Sequence, residues 1–310
     1  MTRIGTSDLD VRPLCLGGNT FGWTSDEAES HRVLDAFVDG GGDFIDTADV
    51  YSAWSDGGAG ISETILGRWF AASGKRDAVV LATKVGKAPG LEGLAAGTIR
   101  KAVDASLQRL GTDRIDLYWA HADDEGTPME ETLGAFEELV TAGKVRALGA
   151  SNFTGPRLEQ ALETSRREGF TAYTALQNEY NLVARQEYES GPADVVAANG
   201  LAMVPYFSLA SGFLSGKYRP GQSADSARSA KASAHLDSPR GQRVLTALDE
   251  VAAAHGAEVA AVALAWLRHQ PTVLAPLASA RTVEQVAPLL ASIDLELTDE
   301  EVAALERASR

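Results

Sequence analysis

Residues 115–148 read IDLYWAHADDEGTPMEETLGAFEELVTAGKVRAL. A run of aliphatic and aromatic residues, Ile115–Ala120, precedes a helix-start signal at Thr127, Pro128 and Glu130, where Thr127 offers a capping hydroxyl and Pro128 a backbone preset for the first turn. Met129–Ala142 then repeats with a period near 3.6, Gly143 stands where a left-handed residue ends a helix, and Val145–Leu148 is a second strand-like run. Together they form one strand, one crossover helix and a parallel second strand.

The same unit recurs in both directions. Strand-like runs stand at Leu14–Leu16, Phe44–Ile45, Val79–Ala82, Ile115–Ala120, Val145–Leu148, Ala172–Leu176, Ala202–Phe207 and Val273–Leu277, eight in all. Helical stretches lie between them, such as Ile99–Leu110, and Gly111 and Gly256 stand at further helix ends. Eight such units close into a (β/α)₈ TIM barrel. An open doubly wound α/β sheet has the same local pattern, but no strand is followed by a completed G-x-G-x-x-G. The expected fold is therefore an α/β barrel, one domain over residues 1–310. RIGTSDLDV (3–11) reads as an N-terminal β-hairpin turning at Thr6, Ser7 and Asp8, a cap for the closed end of the barrel. Pro220–Arg240, rich in Ser, Ala and Gly, reads as a long loop after the seventh strand, and Thr298–Arg307 as a C-terminal amphipathic helix.

Composition narrows the function classes. A net charge of −15 disfavours nucleic acid and anionic membranes as partners, so an anionic cofactor would need local cations. Cys15 is the only cysteine, which rules out an intramolecular disulfide, and its apolar neighbours predict a small core residue. The N-terminal residues MTRIGTSDLDV have no apolar signal segment, and no apolar stretch is long enough to span a bilayer, so a cytoplasmic location is expected.

Three strand ends supply an unusual set of polar residues: Asp46 and Tyr51 in FIDTADVYS (44–52), Lys84 in VVLATK (79–84) and His121 in DLYWAH (116–121). Singly, each reads as a cap, a turn residue or a structural histidine. Together they are a proton-transfer kit. A tyrosine hydroxyl, with an ordinary pKa of about 10, is expected to become a better acid beside a lysine ammonium that an aspartate holds in place.

These residues resemble the aldo-keto reductase superfamily, in particular its microbial and potassium-channel β-subunit-like branch. The resemblance runs from the first strand to the last helix through DTADVYS (46–52), ISETILG (61–67), ATK (82–84), DLYWAH (116–121), GASNF (149–153), QNEYN (177–181) and PYFSLASGFLSGKY (205–218). It implies a catalytic tetrad of Asp46, Tyr51, Lys84 and His121 at the C-terminal rim of the barrel. It also implies an extended nicotinamide dinucleotide: Ser151, Asn152 and Gln177 on the carboxamide, Tyr206 stacked on the ring, Gly18, Asn19 and Asp46 close by, Phe207 also against the cofactor, and the segment Ser208–Lys217, with Ser208, Leu209, Ala210, Ser211, Gly212 and Lys217, over the pyrophosphate. Arg281 would meet the 2′-phosphate and Gln285 the adenine, which favours NADPH (NADP⁺) over NADH, since a guanidinium fork suits a phosphate better than a diol. Without the resemblance, GASN reads as a helix cap and Lys217 as a solvated loop residue.

Some positions depart from the family pattern. Ser279 and Leu289 replace the usual glycine and asparagine near the adenine, and Gly18 and Asn19 replace a threonine followed by methionine or tryptophan.

The implied reaction is reduction of a small-molecule aldehyde or ketone by hydride transfer, with Tyr51 as general acid and His121 orienting the carbonyl. Trp23 and Trp54, in loops after the first two strands, are candidates for the substrate wall or for anchors of their loops. The rival within the resemblance is a regulatory nicotinamide-binding redox sensor with little turnover. That rival is weakened by His121, which the channel-associated relatives often replace. A metal-dependent hydrolase is suggested only by HADD (121–124), because His31, His235, His255 and His269 fall in expected helices or the long loop, and no metal is expected. GASNF does not complete the G-x-S-x-G of a serine hydrolase. Family habit favours a monomer, and no protein partner is assigned.

Overall fold

The computed structural model describes residues 1–55, 58–219 and 229–310. Eight parallel strands lie in chain order as β1 (Cys15–Gly17), β2 (Phe44–Asp46), β3 (Val80–Val85), β4 (Ile115–Ala120), β5 (Val145–Ser151), β6 (Tyr173–Gln177), β7 (Ala202–Met203) and β8 (Leu277–Ala278). They form one sheet of order β7-β6-β5-β4-β3-β2-β1-β8. Its two ends meet. Met203 pairs with Val273, Leu274 N–H donates to Met203 C=O at 2.8 Å and Leu277 N–H to Pro205 C=O at 2.9 Å, so the strands run round a closed, barrel-like ring.

Alternation along the strands sorts side chains into two cores. Cys15, Phe44, Ala82, Leu117, Trp119, Ala147 and Ala175 fill the interior, as expected for Cys15. Leu16, Ile45, Leu81, Tyr118, Leu148 and Leu176 face outward under the helices. Trp119 has one strict requirement: the residue opposite it in register, Gly149, has no room for a Cβ, which would lie 2.2 Å from the indole.

The first five helices follow the sequence signals closely. They are α1 (Glu27–Asp39), α2 (Ile61–Ser73), α3 (Ala96–Leu110), α4 (Met129–Thr141) and α5 (Gly155–Glu168). In α1, Asp26 caps the start by accepting from Glu29 N–H, and Ser30, Val33, Leu34 and Phe37 bury one face at helical spacing. The start of α4 differs from expectation. Pro128 is the capping residue itself, and the Thr127 hydroxyl donates to Asp124 at 2.7 Å instead of capping, because that carboxylate also collects the turn amides of Leu94 and Gly126.

The N-terminal hairpin pairs Thr2–Arg3 with Asp10–Val11 and drives Ile4, Leu9 and Val11 into the interior core, closing one end of the ring. The expected final helix forms over Asp299–Ser309, with a capping box between Thr298 and Glu301. Two expectations need correction. The seventh strand's continuous pairing stops at Met203; beyond it Val204 N–H donates to Leu176 C=O at 2.9 Å and Tyr206 makes a single parallel bridge to Glu179, before the backbone turns left-handed at Phe207, whose φ is +51°. The long loop Pro220–Arg240 is interrupted by helix at Ser229–Leu236 and again from Pro239; its residues 220–228 lie outside those described.

Candidate active site

Parallel register brings the functional strand ends to one rim. Gly17 lies beside Asp46, Lys84 beside Trp119 and Ser151 beside Gln177. Beyond β2 the chain keeps bonding to β3: Thr47 N–H donates to Ala82 C=O at 2.9 Å and Asp49 N–H to Lys84 C=O at 3.3 Å. The turn that follows is fixed by Ser52, at φ +71°, whose hydroxyl donates to Phe21 C=O at 2.7 Å. Tyr51 is thereby delivered over Lys84.

Lys84 Nζ donates to Asp46 Oδ2, to Thr47 C=O at 2.8 Å and to the Tyr51 hydroxyl at 2.9 Å. Its three donors are all used, and its side chain is 1% exposed against 0% for Asp46. Gln177 Nε2 donates to the other Asp46 oxygen at 3.3 Å. The His121 ring stands edge-on to Tyr51, centroids 6.2 Å apart, and its buried Nδ1 has no hydrogen-bond partner among the described residues.

Burial decides the electrostatics. It works against the Lys84 ammonium, yet the summed pull of Asp46 and Tyr51 holds the lysine pKa above its ordinary value. Burial lifts Asp46, and Lys84 and Gln177 recover only part of that rise. His121 is pushed well below its ordinary value by burial and then by the charges of Lys84 and Lys87, so the ring is neutral at physiological pH. Tyr51 corrects the sequence reading. Its pKa is raised rather than lowered, because burial outweighs Lys84, whose charge is already shared with Asp46.

A cleft of about 1070 Å³ runs from this well across the rim. Its wall includes Tyr51, His121, Asn19, Trp23, Trp54, Ser151, Asn152, Gln177, Tyr206, Phe207, Ser208, Leu209, Ser211, Gly212, Lys217, Ser279, Arg281 and Gln285. Asp46 and Lys84 lie beneath the floor. Besides Asp46, two more expected cofactor residues are not on the wall. Gly18 packs under Ser62, whose hydroxyl lies 2.8 Å from where a Cβ would sit, and Ala210 is turned into the core.

Ser151, Asn152 and Tyr206 form a chain at the well's edge. Asn152 Nδ2 donates to Ser151 Oγ and to His121 C=O, both at 2.9 Å, and the Tyr206 hydroxyl donates to Asn152 Oδ1 at 2.7 Å. GASN caps no helix; α5 is capped by Thr154, which accepts from Arg157 N–H. Over 207–216 the backbone is left-handed at Phe207, Ala210, Ser211, Gly212 and Gly216, a conformation that can aim amides into a concavity. At Gly212 a Cβ would crowd the Lys217 side chain at 3.2 Å.

The two separately noted departures, Asn19 and Ser279, are partners: Ser279 Oγ donates to Asn19 Oδ1 at 2.6 Å across the seam between β1 and β8. Leu289 gives that end an apolar wall. The cleft also holds residues that the sequence reading missed, notably Lys87, Thr24, Glu258 and Glu284. Lys87 had a signal in its place three residues beyond Lys84; the others had none. No group of three or more His, Cys, Asp or Glu side chains among the described residues is arranged to hold a metal. No single helix among them is long and apolar enough to cross a membrane.

Residues 13–310 match the profile of the Aldo/keto reductase family. The chain is 37% identical over 309 aligned residues to the uncharacterized oxidoreductase YrpG of Bacillus subtilis, covering 96% of this chain and 92% of that protein. It is 32% identical to the protein tas of Escherichia coli, covering 98% and 96%, and 33% identical to the norsolorinic acid reductase stcV of Emericella nidulans, covering 96% and 78%. With this geometry and these relatives, the chain belongs to the aldo/keto reductase family, as an NAD(P)H-dependent oxidoreductase.

Proposed function

We propose that the protein reduces an aldehyde or ketone to an alcohol with NADPH, using Tyr51 as general acid, and that residues 1–310 act as one cytoplasmic domain. The observation behind this reading is the Tyr51 hydroxyl, held by Lys84 at 2.9 Å on the floor of a cleft that also presents His121.

The donor set suits a dinucleotide. The cleft is long enough for an extended ligand, Lys217 and Arg281 line it without an acidic partner among the described residues, and amide-bearing Asn152 and Gln177 flank the well. Ser151, Asn152 and Gln177 would hold the carboxamide, Tyr206 the ring face, residues 207–212 with Lys217 the diphosphate, and Arg281 and Gln285 the adenosine end. When bound, reduced nicotinamide supplies the hydride.

The protein's own part is orientation and proton delivery. The carbonyl oxygen accepts hydrogen bonds from Tyr51 and neutral His121. As the carbon gains hydride, the C=O π pair moves to oxygen, which takes the Tyr51 proton; solvent later restores it. A raised tyrosine pKa is compatible with this step, since an alkoxide is a far stronger base than a phenolate. Lys84, with its charge fixed by Asp46, stabilises the phenolate left behind.

Titration with NADPH and NADH, followed by tryptophan fluorescence, tests the cofactor half. A carbonyl panel then tests turnover. Tighter binding of NADPH and its aldehyde-dependent oxidation are expected; absence of binding by either nucleotide overturns the reading.

A further inference from the structure

Among the described residues, three cations line the cleft: Lys217, Arg281 and Lys87. In a chain of net charge −15, most arginines and lysines are paired with carboxylates, but none of these three has an ion-pair partner among the described residues. The dinucleotide phosphates account for the first two. Lys87 stands apart from them, close enough to His121 for its charge to help keep that ring neutral.

The local fold keeps Lys87 unpaired. It follows Gly86, at φ +110°, and opens a two-stranded hairpin, Lys87–Ala88 against Leu91–Glu92. In register it lies directly opposite Glu92, the natural partner for a cross-strand ion pair. Glu92 instead turns its carboxylate to accept from Gly90 N–H at 3.0 Å. The same cleft also presents an aromatic face. Trp54 is 50% exposed, meets Trp23 edge-on at 5.6 Å and lies 6.1 Å from Tyr51 between ring centroids. Exposed indole at a pocket mouth favours a flat, apolar ligand body.

We propose that the substrate is a carbonyl compound with an aromatic or similarly flat apolar body and an anionic group, the body lying against Trp54 and Trp23 and the anion meeting Lys87. This rests on the reductase reading above and names the substrate class for that site. Lys87 is a specificity residue here, outside the proton transfer.

The probes are 4-carboxybenzaldehyde and its methyl ester, alike in ring and aldehyde but differing in charge. The readout is the ratio of kcat/KM for acid over ester, which cancels any shared loss of folding or cofactor binding. In the wild-type protein the ratio exceeds one and falls as salt is raised. Lys87→Met lowers it about tenfold, the low end for a lost charge-assisted hydrogen bond, and Lys87→Glu lowers it further. Turnover of both aldehydes with a ratio indifferent to Lys87→Met and Lys87→Glu overturns the inference and leaves the reductase reading standing. No turnover of either aldehyde by wild-type protein that binds NADPH counts against the reductase reading, and the inference falls with it.

Discussion

The two ends of the cleft use charge in opposite ways. In the well, Lys84 and Asp46 are sealed from water, touch each other, and have their remaining hydrogen-bonding capacity taken up by Thr47, Tyr51 and Gln177. In the trough, Lys217 is exposed, and among the described residues Arg281 is fixed only through its backbone: its N–H donates to Gln285 Oε1 at 2.8 Å and its C=O accepts from Ser25 Oγ at 2.8 Å. The first arrangement suits setting a proton's affinity, which needs a dry, fixed environment. The second suits meeting a ligand, which needs accessible charge. Substitutions in the well should therefore damage chemistry and stability, while those in the trough should damage affinity alone.

The largest effect is expected from Tyr51→Phe, which removes the proton but not the wall. kcat should fall by about 10²–10⁴-fold while NADPH affinity by fluorescence titration stays within about twofold. Comparable turnover in the variant would remove Tyr51 from its role. Lys84→Met should follow closely, because it leaves Asp46 buried without its counter-charge. A loss of about 3–5 kcal/mol in urea unfolding is expected.

Asp49, beside the well but off the cleft wall, sharpens the contrast. It is as buried as Asp46, but neither of its carboxyl oxygens finds a hydrogen-bond partner of normal geometry among the described residues. Burial, then the like charge of Glu63, pushes its pKa up to about 7, although the nearby Gly86 amide, then Arg109 and Lys84, pull the other way. A carboxyl with a folded pKa above its unfolded value of 3.8 favours the fold at low pH, and that contribution drains away as pH rises toward about 7. Asp49→Asn does not ionise. Its stability advantage over wild type should be small near pH 4 and grow to at most about 4 kcal/mol above pH 7. A pH-independent difference would mean that Asp49 is solvated or paired in solution.

How much of this the sequence disclosed depended on whether a residue's role was local. The strands and first helices were legible because in-out alternation and start and stop signals are written in neighbouring residues, as in Ile115–Leu148. Asp46, Tyr51, Lys84 and His121 were legible because each sits at or just past such a strand. The helix Ser229–Leu236 was hidden: its serines and alanines read as loop, although alanine is the best helix former. The Asn19–Ser279 bond joins residues 260 positions apart, so it appeared as two unrelated oddities. Lys87 escaped notice because its two-stranded hairpin lies off the barrel and has no periodicity, leaving its place three residues beyond Lys84 as the one sign of it. The sign of the Tyr51 shift also lay beyond sequence, since it depends on how dry the well is.

Arg281 tests the trough end of the comparison with the smallest expected effect. Its backbone anchors the loop, so Arg281→Ala should keep Gln285 and Ser25 bonded and leave urea unfolding within about 0.5 kcal/mol of wild type. NADPH affinity should fall about 10–100-fold, the worth of charged hydrogen bonds to a phosphate, while NADH, which offers a diol there, should lose little. Arg281→Lys should recover only part of the difference, because an ammonium supplies charge without the planar fork. Raising salt should narrow the gap between the two nucleotides in the wild-type protein but hardly in Arg281→Ala, since an accessible charge is screened and an absent one is not. Equal losses for both nucleotides would place Arg281 against a part common to them, and the trough's selectivity would then have to come from elsewhere along its wall.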